Sequence, residues 1–303
     1  MPTSPSSPSP WQVWLLAARP RTLPAAAAPV LAGAALAAFD GVFQPGPALA
    51  ALGGALLLQI GANLANDVFD FQKGADTQAR LGPLRVTAAG LLTPRQVLTG
   101  MWVTFGLATL LGGYLAWVGG WPIIAIGLTA ILAAIAYTGG PFPFGYHGLG
   151  EVFVFLFFGL AAVAGTYFVQ AGAVSALAWW TAAPLGFLVT AIIVVNNLRD
   201  VETDRAAGKR TLAVRLGAAG ARWEYLLLIA AAYLAPLLIW ASGQGPAGVL
   251  LTWVSLPRAA QWVRVVFAVS GRPLNAALGG TGQLALLYAL LYSAGLLAAR
   301  WLG

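Results

Sequence analysis

Side chains that could bind a divalent cation are concentrated in two short segments, each of which ends an apolar stretch. The chain has nine acidic residues, and six of them fall in these segments. Carboxylate and amide oxygens are hard ligands that suit Mg²⁺ or Mn²⁺, often together with substrate phosphates. The cation-binding candidates are, in the first segment, Asn63, Asn66, Asp67, Asp70 and Asp76 and, in the second, Asn196, Asn197, Asp200 and Asp204.

The spacing of the first segment places its polar residues on one side of a helix end. Asn63, Asn66 and Asp70 are separated by steps of three and four residues, which is the helical repeat. Acidic side chains on one helix face repel one another, and the helix dipole disfavours negative charge at a C-terminus. The segment therefore predicts that a cation, either a metal ion or a basic side chain, lies beside these carboxylates.

Basic residues follow both acidic segments. Lys73, Arg80 and Arg85 follow Asp70, and Lys209 and Arg210 follow Asp204; the two lysines are the only ones in the chain. Metal bound to carboxylates could hold a diphosphate, while lysine and arginine contact its remaining oxygens. The alternative is that these are solvated loop charges paired with one another. The repeated acid-then-base order also suggests an internal duplication.

The elements that position these residues must be membrane helices. Of the 303 residues, 59% are hydrophobic and only 8% are charged, whereas a soluble domain is about 25% charged. The absence of cysteine excludes disulfides and thiolate catalysis, and a single histidine excludes a multi-histidine metal site. The net charge of +7 does not indicate nucleic-acid binding, because the chain contains no exposed basic module.

Hydropathy predicts an all-α integral membrane protein, a bundle of nine transmembrane helices in the lipid bilayer. The predicted spans are 22–39, 48–66, 97–118, 121–138, 151–171, 178–197, 224–241, 247–268 and 281–300. Most basic residues fall at one face, which the positive-inside rule makes cytoplasmic. Both Asp-rich motifs then lie at the cytoplasmic ends of helices 2 and 6. We expect a disordered tail at 1–14 and a single domain at 15–303, with pseudo-repeat halves at 20–140 and 150–270 and a last helix at 281–300.

The two motifs resemble those of the UbiA-type intramembrane prenyltransferases. Asn66 and Asp70 match that family's Asn-x-x-x-Asp pattern, and Asp200 and Asp204 match its Asp-x-x-x-Asp pattern. Further stretches, among them 19–24, 82–85, 137–141 and 196–217, are most similar to the members that prenylate 1,4-dihydroxy-2-naphthoate in menaquinone synthesis. Where the first motif often carries another aspartate, this chain has Gly74, with Asp76 two residues later.

The resemblance implies transfer of a polyprenyl group from polyprenyl diphosphate to 1,4-dihydroxy-2-naphthoate, with loss of CO₂, in the cell (plasma or inner) membrane. It implies two Mg²⁺ ions, with Mn²⁺ as an alternative, and it leaves the oligomeric state open. Catalytic roles are expected for Asp70, Asp204, Tyr137 and Lys73. The expected metal ligands are Asn66, Asp67, Asp70, Asp200 and Asp204. Substrate contacts are expected from Asn63, Asp76, Arg80, Arg85, Asn197, Lys209 and Arg210.

Several alternatives stay open at this point. Tyr137 could stabilise an allylic cation or could belong to the aromatic belt at the membrane interface. Glu151 could cap a helix N-terminus or serve the site. The acceptor could instead be homogentisate or 4-hydroxybenzoate, or the donor a phytyl group for phylloquinone. A transporter of lipid diphosphates, which carries out no reaction, is a further possibility.

Overall fold

The computed structural model describes residues 8–75 and 81–302, and every regular element in that part of the chain is a helix. The helices are α1 (Pro10–Ala18), α2 (Leu23–Phe39), α3 (Pro45–Gln72), α4 (Pro94–Gly119), α5 (Trp121–Ala136), α6 (Gly150–Val154), α7 (Ala162–Ala171), α8 (Ala176–Arg199), α9 (Val201–Ala206), α10 (Leu212–Ala241), α11 (Leu256–Ala268) and α12 (Leu274–Leu302). A π-helical segment, Phe155–Ala161, joins α6 to α7, and a 3-10 segment, Ala247–Ser255, precedes α11.

Seven helical stretches among the described residues are long and apolar enough to cross a membrane. Two of the nine predicted spans take other forms. The span at 121–138 corresponds to α5, a shorter apolar helix, and the span at 247–268 is a 3-10 segment continued by α11. The chain is therefore a multi-pass membrane protein, while the count of nine crossings stays a prediction.

The N-terminal region is more ordered than its composition predicts. Ser9 caps α1 through a reciprocal capping box with Gln12, so residues 10–14 are helical and the prediction of a disordered tail through residue 14 is wrong for them. Residues 1–7 lie outside the described part of the chain. Arg19 follows α1 in the left-handed conformation, with φ of 52°, and turns the chain into α2.

The largest buried cluster lies among α2, α8, α10 and α12. Fully buried tyrosines fill it, and their hydroxyls are paired: Tyr288 donates to the Ala232 carbonyl at 2.8 Å, and Tyr292 bonds to Thr181 at 2.8 Å. Pairing matters because a buried hydroxyl without a partner costs free energy. A smaller cluster joins α1, α3 and α4, and these two clusters hold the helix ends that bear the acidic motifs.

The loop after α3 folds back onto that helix through Asp67. The carboxylate of Asp67 is 1% exposed and accepts hydrogen bonds from the backbone N–H groups of Val86, at 3.1 Å, and Thr87, at 3.0 Å. The guanidinium of Arg19 lies 3.7 Å from the same carboxylate. This anchor fixes the backbone next to Arg85, which places the Arg85 side chain beside the end of α3.

Replacing Asp67 by alanine should lower the free energy of unfolding by about 1–3 kcal/mol for each backbone amide left buried and unpaired. Thermal unfolding in detergent would measure the loss, with Asp67→Asn expected to fall between the alanine variant and the wild type because one acceptor oxygen remains. Glu202→Gln is the matched control, since the Glu202 side chain is 81% exposed. An Asp67→Ala protein as stable as this control would contradict the anchoring role.

Candidate active site

A cavity of about 910 Å³ opens among α2, α3, α4, α5, the π-helical segment and α8. Most of its wall is apolar, and its polar residues gather where α3 and α8 end. The charged, asparagine and tyrosine residues in its lining are Arg19, Asn63, Asn66, Asp70, Arg85, Tyr137, Tyr146, Asn196, Asn197, Asp200, Asp204 and Lys209. The cavity thus combines a long apolar space with one charged end.

Asp70 is the centre of the charged end and is only 2% exposed. Its Oδ2 accepts from Arg85 at 2.7 Å, and its Oδ1 accepts from the hydroxyl of Tyr146 at 2.5 Å. The ammonium of Lys209 is 3.3 Å from the same Oδ1. Two basic side chains therefore compensate this buried carboxylate, as the clustering of acids at a helix end predicts.

Lys209 joins the two acidic motifs. Besides its contact with Asp70, its ammonium lies 3.8 Å from the carboxylate of Asp204, and both side chains are almost buried. The same ammonium sits 4.4 Å from the centre of the Tyr146 ring, within the range of a cation–π interaction. Asp70 and Asp204 are 134 positions apart in the chain, and one lysine side chain spans them in space.

The second motif is organised by a buried arginine. Arg199, 2% exposed, forms an ion pair with Asp200 and donates to Asn196 at 3.0 Å and to Asn275 of α12 at 2.8 Å. Asp200 occupies the junction between α8 and α9, where the helix is interrupted. The junction turns Asp200 and Asp204 toward the cavity, so that both appear in its lining.

Three asparagines contribute amide groups to the same end. The Oδ1 of Asn66 accepts from Thr138 at 3.0 Å, and the Nδ2 of Asn63 donates to the Ala18 carbonyl at 3.0 Å. The Nδ2 of Asn197 donates to Glu151 at 2.8 Å. All three of these predicted asparagines therefore line the cavity with fixed orientations.

Tyr137 lines the cavity immediately after α5 and is held by close packing. A Cβ atom on Gly150 would lie 2.8 Å from the Tyr137 hydroxyl, and one on Gly145 would lie 2.7 Å from the Tyr137 carbonyl. Phe144 packs edge-on against the tyrosine ring, with the ring centres 5.3 Å apart. The glycines thus let the chain after α5 wrap around Tyr137, which presents an aromatic surface to the cavity.

Lys73 stands at the rim of the charged end. Its ammonium donates to the Gly140 carbonyl at 3.1 Å and lies 5.3 Å from the Tyr146 ring. Partial burial lowers the pKa of Lys73 below its ordinary value, although the Asp70 carboxylate acts in the opposite direction. Lys73 is exposed and is not part of the cavity lining.

Some sequence-predicted site residues take other positions. Asp67 does not line the cavity, because both of its oxygens accept from the loop backbone. The side chain of Arg210 is exposed, and its backbone N–H donates to the Tyr146 carbonyl at 2.8 Å. Asp76 and Arg80 lie outside the described residues, so their predicted roles stay predictions.

Tyr146 and Arg199 are site residues that the sequence analysis missed. No sequence pattern connects Tyr146 with Asp70, which lies 76 positions away. Arg199 carried a usable signal, because it lies inside the second motif, three residues after Asn196 and directly before Asp200. The positive-inside rule already accounts for a basic residue at that face, so the rule gives no reason to assign Arg199 a contact in the site.

The donor atoms at the charged end fit a divalent cation that is bound jointly with an anionic ligand. Across the described residues, no three acidic or histidine side chains converge into a complete metal cage. What the cavity offers instead is the carboxylates of Asp70, Asp200 and Asp204 with neighbouring amide oxygens. Such a set suits Mg²⁺, which typically takes one or two carboxylates and completes its coordination with phosphate oxygens and water.

Two relatives found by sequence comparison carry the same name. A 1,4-dihydroxy-2-naphthoate octaprenyltransferase of Mycobacterium tuberculosis is 43% identical over 278 residues, which cover 91% of this chain and 94% of that protein. The Escherichia coli protein of the same name is 42% identical over 224 residues, 72% of this chain and 73% of that protein.

The fold comparison agrees. The structure of a UbiA homolog from Archaeoglobus fulgidus bound to DMAPP and Mg²⁺ superposes with a TM-score of 0.67, covering 92% of this chain and 99% of that chain at 14% identity. The model of the UbiA prenyltransferase family matches residues 26–277. The chain therefore belongs to the UbiA prenyltransferase family.

Proposed function

We propose that this protein transfers a polyprenyl group from polyprenyl diphosphate to 1,4-dihydroxy-2-naphthoate, with loss of CO₂, to give the quinol (hydroquinone) form of demethylmenaquinone. One observation carries the proposal. The two acidic motifs lie together at the charged end of an otherwise apolar cavity, where Lys209 contacts an aspartate of each. The names of the relatives support the acceptor, because full-length similarity at this level usually accompanies a shared reaction.

The residues proposed to hold divalent cations are those whose oxygens line the charged end. They are Asn66 and Asp70 on α3 and Asp200 and Asp204 at the junction of α8 and α9. Bound Mg²⁺, proposed as two ions, would neutralise the charge that develops on the departing diphosphate. The structure bound to DMAPP and Mg²⁺ in a relative of the same fold supports this assignment.

Arg85 and Lys209 are proposed to bind the diphosphate. Both now share the carboxylate of Asp70, so their positive charge is already positioned within the charged end. Positioned cations cost little reorganisation when a phosphate oxygen arrives, and arginine matches such oxygens with two parallel N–H groups. Lys73 and Arg210 lie nearer the rim and are proposed to assist capture of the anion.

The rest of the cavity is proposed to hold the isoprenoid tail and shield the reacting carbon. When the C–O bond breaks, the diphosphate leaves with the electron pair and the allylic carbon becomes cationic. Tyr137 and Tyr146 both line the cavity, and aromatic faces attract cations. The electron-rich acceptor ring supplies the pair for the new C–C bond, and its carboxylate leaves as CO₂.

We further propose that the charged end faces the cytoplasm from the plasma or inner membrane. The support is the distribution of lysine and arginine, most of which fall at the face that carries both acidic motifs. Soluble polar substrates such as 1,4-dihydroxy-2-naphthoate would then reach the cavity from the cytoplasm.

Charge removal at either motif should abolish turnover. Asp70→Asn and Asp204→Asn are each expected to lower Mg²⁺-dependent diphosphate release by about 100-fold or more, since each removes a carboxylate proposed to hold the cation that neutralises the departing diphosphate. The measurement is release of labelled diphosphate by purified protein in detergent or liposomes, with thermal unfolding as the check that each variant is folded.

Glu202→Gln is the matched control, because this acid lies in the second motif but points to solvent. It should release diphosphate at the wild-type rate. Folded Asp70 and Asp204 variants that keep full release would overturn the metal-binding assignment. Wild-type protein that binds polyprenyl diphosphate without ever releasing diphosphate would support the transporter alternative.

The acceptor assignment is tested by competition. Purified protein given one polyprenyl diphosphate and an equimolar mixture of 1,4-dihydroxy-2-naphthoate, 4-hydroxybenzoate and homogentisate should form the decarboxylated naphthoate product preferentially. Mass spectrometry identifies the product by its mass, and labelled carboxylate reports CO₂ loss. Product from another acceptor, with none from the naphthoate, would refute this acceptor and leave the prenyl transfer itself intact.

A further inference from the structure

Glu151 is a buried acid that does not line the cavity itself but contacts a residue that does. It is 6% exposed at the start of α6, and its Oε1 accepts from the Nδ2 of Asn197 at 2.8 Å. Among the residues that the structure describes, none donates a hydrogen bond to its Oε2. Glu151 is not itself part of the cavity lining, whereas Asn197 is.

The chemistry of the two groups makes this contact directional. An ionised carboxylate can only accept hydrogen bonds, whereas an amide has a donating nitrogen at one end and an accepting oxygen at the other. With its Nδ2 committed to Glu151, Asn197 must turn its Oδ1 the other way. No donor among the described residues occupies that oxygen, so it is free to face a ligand in the cavity.

We propose that Glu151 is a positioning residue that fixes Asn197 with its oxygen toward the cavity, as a ligand for a divalent cation. The proposal rests on the function proposed above. An asparagine without this partner could rotate its amide by half a turn at little cost and present N–H groups, which repel a cation. A buried carboxylate behind the amide excludes the rotated form.

A purely structural role for Glu151 at the helix N-terminus does not explain its hydrogen bond with Asn197. An acid in the first turn of a helix is favoured by the dipole, but that effect requires only a negative charge near the backbone. Glu224 on α10 is half-buried, and its carboxylate interacts electrostatically with Glu151, so that two like charges repel. A second acid nearby makes a carboxylate at position 151 costly, and the dipole alone does not explain its hydrogen bond with Asn197.

Reversing the polarity of the pair tests the proposal. Asn197→Asp alone places a carboxylate against Glu151, so that two acceptors of like charge repel and the side chain at position 197 should be displaced from its place at the cavity. In the double variant Glu151→Gln/Asn197→Asp, the amide nitrogen introduced at position 151 can donate to the carboxylate introduced at position 197, which again leaves one oxygen for the cavity. We expect the single variant to need about 10- to 100-fold more Mg²⁺ for half-maximal activity, and the double variant to recover most of that loss.

Binding is measured separately from turnover. The thermal unfolding midpoint is recorded against Mg²⁺ concentration in the presence of geranyl thiodiphosphate, an unreactive donor analogue. The Mg²⁺-dependent rise should move to higher concentration in Asn197→Asp and return toward the wild type in the double variant. Asn197→Leu is the matched control, because it has no oxygen to present and should stay impaired with either residue at 151.

Each outcome supports or contradicts either the positioning role of Glu151 or the proposed function. No recovery in the double variant, or equal recovery with leucine at 197, would overturn the positioning role while leaving the wild-type Mg²⁺ response as support for the proposed function. A wild-type protein with no Mg²⁺ response would instead refute that function.

If Asn197→Asp does not fold, Glu151→Leu should raise the Mg²⁺ requirement more than Glu151→Gln, whose carbonyl can still accept; equal effects would contradict the proposal.

Discussion

The carboxylate of Asp70, buried where α3 ends, is the constraint on which the arrangement depends. A negative charge at a helix C-terminus and away from water is unfavourable without close cations. Arg85 reaches it from the loop after α3, and Lys209 reaches it from beyond α9. Compensating one charge therefore draws together segments that are far apart in the chain. At the same end of the cavity, Asp200 pairs with Arg199, and Asp204 lies close to Lys209.

The surrounding elements explain how these charges stay in place. Asp67 pins the loop that carries Arg85, and Arg199 ties Asp200 to α12 through Asn275. The ion pairs around Asp70 also show why the site can receive a charged substrate. In the proposed reaction, Arg85 and Lys209 would shift from a carboxylate to a phosphate oxygen while divalent cations took over the carboxylates, so the total charge would stay nearly balanced.

Much of this could be predicted from the sequence, because membrane helices and acidic motifs give strong local patterns. The helical periodicity of Asn66 and Asp70 and the repeated acid-then-base order located the charged end of the cavity. Contacts set by tertiary packing could not be predicted. Tyr146 meets Asp70 only because the chain after α5 folds back so that the Gly145 N–H donates to the Tyr137 carbonyl, and Asp67, one residue after Asn66, points to the loop instead of the cavity. Hydropathy likewise predicts membrane helix for the 3-10 segment at 247–255, because it does not distinguish a 3-10 from an α-helix.

If the proposed function is right, oxygen ligands from both motifs bind the same metal–diphosphate unit. The sharpest test is an experimental structure of the protein with Mn²⁺ and an unreactive prenyl diphosphate, in which the anomalous signal locates the metal. We expect metal bound by oxygens from both the Asn66–Asp70 and the Asp200–Asp204 pairs, either directly at about 2.0–2.3 Å or through one bridging water, with Arg85 and Lys209 on the diphosphate. Metal held by one motif alone, or a diphosphate bound away from the charged end, would refute a shared site.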